Sequence, residues 1–171
     1  MRPTRTALLV TVLVAATLGF AGRAVAAAPS SVPTDTVACG REATRAAVRT
    51  FFTAFNAGDF ARLDALFAPE PAFQWYSTPA PGERLGPPAR RRETLIPYLR
   101  RRHARGDRFD LDAFHWNGRS SHWSNFAFEA RGSSPAFHGG NWFRADGKGV
   151  AVCGTGAAQL IVLTFGEPGA G

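Results

Sequence analysis

The sequence predicts an α+β fold in which helices come first and antiparallel strands follow. Three observations carry that prediction. Apolar residues recur at helical spacing between Ala47 and Phe67. From Phe109 onward, short aromatic segments alternate with Gly, Ser and Asp in the manner of strands and turns. Helices and strands are segregated along the chain, which argues against a doubly wound sheet. Composition agrees: of 171 residues, 45% are hydrophobic, 12% aromatic and 19% charged, too apolar for a disordered chain. Two cysteines are too few for a disulfide-dense scaffold or a four-cysteine zinc cluster.

The first 28 residues read as a secretory signal and not as part of the domain. Arg2 and Arg5 are followed by the uncharged run Ala7 to Gly22 and by the small-x-small site Ala24-Val25-Ala26, with cleavage expected after Ala26 or Ala28. The run is shorter than the ~20 residues of a spanning helix, and no later stretch approaches that length, so no transmembrane segment is expected in the mature protein. Residues 29–38 form a polar, Pro-containing lead-in, the domain occupies 39–166, and 167–171 are a tail. Loss of Arg2, Arg5 and Arg23 lowers the net charge from +7 to +4. Eight arginines fall between Arg90 and Arg108, opposed there by Glu93 and Asp107 alone. In an oxidising compartment the two cysteines, Cys39 and Cys153, pair by default. Closing so long a loop contributes up to roughly 5 kcal/mol in the chain-entropy model.

Within the domain, Ala47, Val48, Phe51, Phe52 and Phe55 mark the first helix, and Arg41, Arg45 and Arg49 form a stripe on another face, ordinarily a solvated one. Gly58 suits a left-handed helix end and Asp59 a new N-cap. A short second helix carries Phe60, Leu63, Leu66 and Phe67 and stops at Pro69 and Pro71. Ala72 to Thr78 reads as a strand. A third helix starts at a Thr94 cap with Pro97 in its first turn, and its arginine-rich end suits the helix dipole. Strands are then expected at Phe109–Asn117, Ser121–Arg131, Gly140–Ala145, Val150–Cys153 and Leu160–Phe165. Asp146-Gly147-Lys148-Gly149 reads as a tight hairpin turn.

This order of elements, with Phe51-Phe52-Thr53-Ala54-Phe55-Asn56-Ala57-Gly58-Asp59 followed by Leu63, Leu66, Phe67, Ala68 and Pro69, resembles the nuclear transport factor 2-like superfamily and, within it, the SnoaL-like (polyketide-cyclase-like) domains. The resemblance implies a cone: N-terminal helices packed against a curved, mostly antiparallel sheet. Relatives use the cone as a ligand pocket, an active site or a dimer interface. The ketosteroid-isomerase branch places a Tyr in the first helix and a general-base Asp on the first strand. Alignment on Asn56 to Asp59 puts Phe51 at the first position, and counting on from Phe67 puts Trp75 at the second; neither residue transfers a proton.

Among the remaining residues, His115, His122 and Asp112 are the catalytic candidates, since a His beside a carboxylate serves as a base near neutral pH. Asp110 and Glu129 are alternative carboxylates. Strand alternation puts Asp112 with Trp116 and opposite His115. The ordinary reading of both histidines is the wet rim of a hairpin. His138 would complete a metal set with them, but no ligand spacing supports it, so no metal is expected. Phe52, Trp75, Trp116, Trp123, Asn125 and Trp142 are the candidate pocket, with Asn141 and Glu129 as further polar groups, against the alternative that these aromatics are core or interface. The Arg90–Arg108 segment is a candidate anionic surface contact, against the alternative of a solvated helix face. Nucleic acid is not expected, because no stacking motif accompanies the arginines. No glycine loop or anchoring motif implies a cofactor. Three functions follow: a secreted binder of a small apolar molecule, an isomerase, cyclase or lyase built on a His–carboxylate pair in the cone, or a homodimeric interaction module burying Trp123 or Trp142.

Overall fold

The computed structural model describes residues 39–75, 91–154 and 157–167, so the signal, the lead-in and all but Glu167 of the tail lie outside the described residues. The chain runs α1 (Arg41–Ala57), α2 (Phe60–Leu66), β1 (Phe67–Trp75), α3 (Arg92–Ala104), β2 (Arg108–Arg119), β3 (Ser124–Ser133), α4 (Pro135–His138), β4 (Trp142–Cys153) and β5 (Ala158–Gly166). The strands make one sheet in the order β1-β5-β4-β3-β2, antiparallel throughout except for the parallel β1–β5 pair at one edge. The fold is thus α+β, as predicted.

The helical half follows local chemistry. Gly58 takes the left-handed conformation at the end of α1 with φ of 69°, and Asp59 N–H donates to Ala54 O at 2.8 Å to close the helix end. The Asp59 carboxylate then accepts from Arg62 N–H at 3.0 Å and opens α2. The buried stripe of α1 lays Phe51, Phe52 and Phe55 on the sheet. Phe52 meets Phe128 with ring centroids 5.3 Å apart, Phe51 meets Phe165 at 6.2 Å, and Phe55 meets Phe109 at 5.9 Å. Eight phenylalanines are 2% exposed or less. Each contributes about 1.5–3 kcal/mol by leaving water, and this aromatic mass is the core.

Four local expectations are corrected. The second helix does not run on through Phe67 to stop at Pro69 and Pro71; it ends at Leu66, and both prolines lie in β1, which starts at Phe67. Proline is tolerated there because β1 is an edge strand and its register with β5 slips between Phe67 and Ala72. α3 begins at Arg92, capped by the Arg91 backbone and not by Thr94, so Pro97 falls inside the helix. Its start is fixed from outside, by Arg92 donating to Asp64 O at 2.6 Å and to Phe67 O. Residues 146–149 form no turn, and the strands expected at 140–145 and 150–153 are one strand, β4. A Cβ on Gly147 would lie 2.1 Å from Phe128 Cζ, and one on Gly149 would lie 2.2 Å from Val162 O and 2.5 Å from Phe126 Cζ. These glycines admit rings of β3 across the backbone of β4. Finally, the loop expected from Gly132 to Gly139 holds the end of β3 and the short α4.

The expected Cys39–Cys153 disulfide is present, spanning 114 residues with Cα atoms 5.0 Å apart. It joins the residue two before α1 to the last residue of β4. Among the described residues, no helix is long and apolar enough to cross a membrane.

Candidate functional site

Parity along each strand decides which side chains face the helices. On β3, Ser124, Phe126, Phe128, Ala130 and Gly132 are buried and face inward, while Asn125, Ala127, Glu129 and Arg131 face outward. On β2 the register slips between Leu111 and Ala113, a bulge that turns the strand over. Leu111 pairs with Ala130, Phe114 with Phe128 and Trp116 with Phe126, all inward. The bulge corrects the expected alternation: Asp112 shares the outer face with His115 and not the inner face with Trp116.

The outer face holds most of the residues singled out as catalytic. His115 Nε2 lies 3.7 Å from Glu129, and both side chains are about half exposed. Glu129 lies 3.6 Å from Arg144, Arg144 pairs with Asp146 at 3.1 Å, and Arg131 pairs with Asp112 at 2.9 Å. The Asp146 hydrogen bond, then its charge and that of Glu129, hold the Arg144 guanidinium above its ordinary value. Asp110 is exposed opposite Arg131. His122 sits in the turn between β2 and β3, exposed, with its ring against Trp123. So the expected His–carboxylate pairing does form, as His115–Glu129, but in solvent. Solvent-exposed ion pairs of this kind contribute about 0–1 kcal/mol each. Among the described residues no three metal-ligand side chains gather.

Among the described residues, Phe52, Trp116, Trp123, Asn125 and Trp142 of the candidate pocket do not converge. Trp123 is 46% and Trp142 58% exposed, with Trp142 on the outer face beside Arg131. Asn125 also points outward, and exposed Asn141 precedes β4. Phe52 is core, 3% exposed. The backbone of Trp75 pairs with Phe165 at the end of β1, and its side chain lies outside the described ones. Trp116 faces inward on β2, opposite Phe126, and is half-buried.

Around Trp116 the inner surface changes character. Leu111, Phe114 and Trp116 of β2 point inward yet stay half-buried, while Phe126 and Phe128 beside them are 1% and 2% exposed. Phe114 stacks on Phe126 with centroids 6.1 Å apart. The inner face is thus sealed at its centre and open at the β2 edge, beneath α1. Trp116 Nε1 is buried there with no hydrogen-bond partner among the described residues. Arg45 of α1 has its Nε in the same condition. A buried N–H left without an acceptor costs about 1–3 kcal/mol.

Two ties fix α1 over β3. Ser124 Oγ donates to Cys39 O at one end, and Asn56 binds Phe109, the partner of Gly132, at the other. Arg45 precedes Phe52 by seven residues, about 10.5 Å of helix. Phe128, which Phe52 touches, lies four residues from Ser124, about 13.5 Å of strand. Arg45 therefore sits level with the Ser124–Phe126 stretch, where Trp116 pairs. The expected solvated arginine stripe holds for Arg41 and Arg49 but not for Arg45. The local spacing that grouped all three carries no record of the strand edge beneath.

The arginine-rich segment is likewise not one solvated face. Arg91, Arg100, Arg101 and Arg105 are exposed, while Arg102 is 1% exposed and pairs with the fully buried Asp107. Ser134 Oγ donates to the other Asp107 oxygen at 2.6 Å. Tyr98, 4% exposed, adjoins Arg102, and burial pushes its phenol up to about 12 against the opposing charge and hydrogen bond of that guanidinium. Arg90 lies outside the described residues. Sequence reasoning missed Arg102 and Arg45; the unusual density of arginine in helices was the available signal.

A groove of about 670 Å³ lies elsewhere, lined by Ala43, Ala46, Thr50, Arg62, Ala158 and Gln159. It is open to solvent and holds none of the unpartnered buried atoms.

Solved structures share this architecture. An uncharacterised protein with a cystatin-like fold from Caulobacter vibrioides superposes with a TM-score of 0.60 at 15% identity, covering 74% of this chain and 88% of its own. A nuclear transport factor 2-like protein with a cystatin-like fold from Novosphingobium aromaticivorans does so with a TM-score of 0.60 at 10% identity, covering 77% and 83%. A ketosteroid isomerase-like protein from Erwinia carotovora atroseptica gives 0.51 at 16% identity, covering 76% and 98%. The fold is therefore cystatin-like, of the nuclear transport factor 2-like type, and at such identities the likeness carries the fold alone. No protein-family model matches the chain, and no curated protein matches it.

Proposed function

We propose that this chain is an exported member of the nuclear transport factor 2-like superfamily, nearest its SnoaL-like branch, which binds a small apolar molecule between α1 and the inner face of β2. The observation that carries the reading is the open inner surface of Leu111, Phe114 and Trp116 beside a centre that is otherwise closed. Export rests on the Arg2/Arg5 start, the apolar run and the Ala24-Val25-Ala26 site, and the Cys39–Cys153 bond is of the kind that oxidising compartments sustain. Phe51 is buried core at the position of the isomerase-type tyrosine, and His115 and Glu129 pair on the outer face, so the reading is one of binding without catalysis. The test is native mass spectrometry of the protein purified from exporting cells, with an octan-1-ol titration of the emptied protein. A retained small molecule, or saturable binding of the alcohol, is the expected result. A chain that emerges empty and takes up no octan-1-ol overturns the reading.

Exposed Trp142 and Trp123 favour a second reading, a homodimer that covers them. Sedimentation at micromolar concentration decides it: a monomer removes this reading.

A further inference from the structure

We propose that the molecule bound between α1 and β2 is an apolar carboxylate, with its head group held by Arg45 Nε and Trp116 Nε1. The inference rests on the binding reading above and adds the chemistry of the ligand to it. Both buried atoms are N–H donors, and an indole N–H never accepts, so the group that completes them is an acceptor. Arg45 also carries a permanent charge, and no acidic side chain among the described residues lies within ion-pair distance of it. A cation without a partner selects an anion. The neighbouring inward residues of β2, Leu111 and Phe114, are apolar and offer no further side-chain donor. A two-oxygen head on an apolar body matches two donors set at the edge of a hydrocarbon surface.

The probes are octanoate and octan-1-ol, equal in chain length and different in head group, titrated into the mature oxidised protein by calorimetry. Octanoate is expected to bind about tenfold more tightly than the alcohol, the gain of one charge-assisted hydrogen-bonded pair. Arg45→Met and Trp116→Phe are each expected to remove most of that advantage, read as the ratio of octanoate to octan-1-ol affinity, so that any loss of apolar contact common to both probes cancels. Trp116→Phe keeps an aromatic ring in place, and in the unmutated protein the Trp116 indole proton is expected to shift further downfield with octanoate than with octan-1-ol, whose hydroxyl is the weaker acceptor, a readout that needs no folded variant. Equal affinity for acid and alcohol overturns the head-group inference and leaves the apolar pocket standing. Preference for octanoate that survives both substitutions, with no indole shift, also overturns it. Failure of both probes to bind sinks the pocket reading itself.

Discussion

Asn56, at the end of α1, grips the backbone of Phe109 with both ends of its side-chain amide. Its Nδ2 donates to Phe109 O at 2.6 Å, and its Oδ1 accepts from Phe109 N–H at 3.0 Å. The start of β2 thereby gains a strand-like partner on its free edge, supplied by a helix. His103 Nε2 also contacts the Asn56 carbonyl at 3.3 Å, so the same residue joins α1, β2 and α3. Asn56→Ala leaves two backbone groups without partners, at a cost of about 2–3 kcal/mol. That corresponds to a fall in Tm of roughly 5–10 °C for a domain of this size. Thr53→Ala on the exposed side of α1 is the control, with an expected change below ~0.5 kcal/mol. Equal melting of the two variants would show that the clamp adds nothing.

Gly147 is present because a ring needs its space. Gly147→Ala places a methyl group 2.1 Å from Phe128 Cζ, and Phe128 is wedged by Phe52 and Phe165 with centroids 5.3 and 5.7 Å away. The ring has nowhere to move, so the substitution is expected to cost at least about 1–3 kcal/mol. In a Phe128→Leu background the same change should cost less, although Phe128→Leu alone also destabilises. A double-mutant cycle in urea measures the coupling. Strict additivity would place the clash elsewhere.

These residues also explain how far the sequence could be read. Gly58 and Asp59 act on atoms within a few residues of themselves, so the α1–α2 corner was legible from its own text. Asp146-Gly147-Lys148-Gly149 has the composition of a turn, but its glycines answer to Phe126 and Phe128 on another strand. Local pattern carries no trace of that demand. The bulge at Asp112 is similar: one extra residue reverses which side every later β2 side chain faces, and the expected pairing of Asp112 with Trp116 was lost there. Arg45 and Arg102 looked like members of solvated stripes because burial is decided by what lies opposite. The candidate site was therefore legible at one residue, Trp116, and its open edge emerged with the register.

The Cys39–Cys153 bond ties the chain just before α1 to the end of β4, and Cys39 O accepts a hydrogen bond from Ser124 at the same point. Reduction releases a 114-residue loop. The expected loss of stability is about 2–5 kcal/mol, read as a lower urea midpoint in reductant with an unchanged native fluorescence spectrum before unfolding. The Cys39→Ser/Cys153→Ser variant should melt like the reduced protein and be indifferent to reductant. A midpoint insensitive to reductant in the unmodified chain would contradict a stabilising role for the bond.

Tyr98 gives the fold an alkaline limit. Its phenol is buried beside Phe73 and Arg102, and burial raises its pKa from the ordinary 10.0 to about 12, with Arg102 opposing the rise. The unfolded chain releases this proton at lower pH than the folded one. Between those two values the unfolded state binds fewer protons, so stability falls as pH rises. The stability is complete below about pH 10, and about 2–3 kcal/mol is lost by about pH 12, on the order expected for a two-unit shift. Urea midpoints at several alkaline pH values should therefore fall more steeply in the unmodified protein than in Tyr98→Phe, which retains the ring and lacks the ionisable group. Absorbance at the tyrosinate band should show one late transition that Tyr98→Phe abolishes. If both proteins lose stability in parallel and the late transition persists in the variant, Tyr98 is not the group that sets the limit.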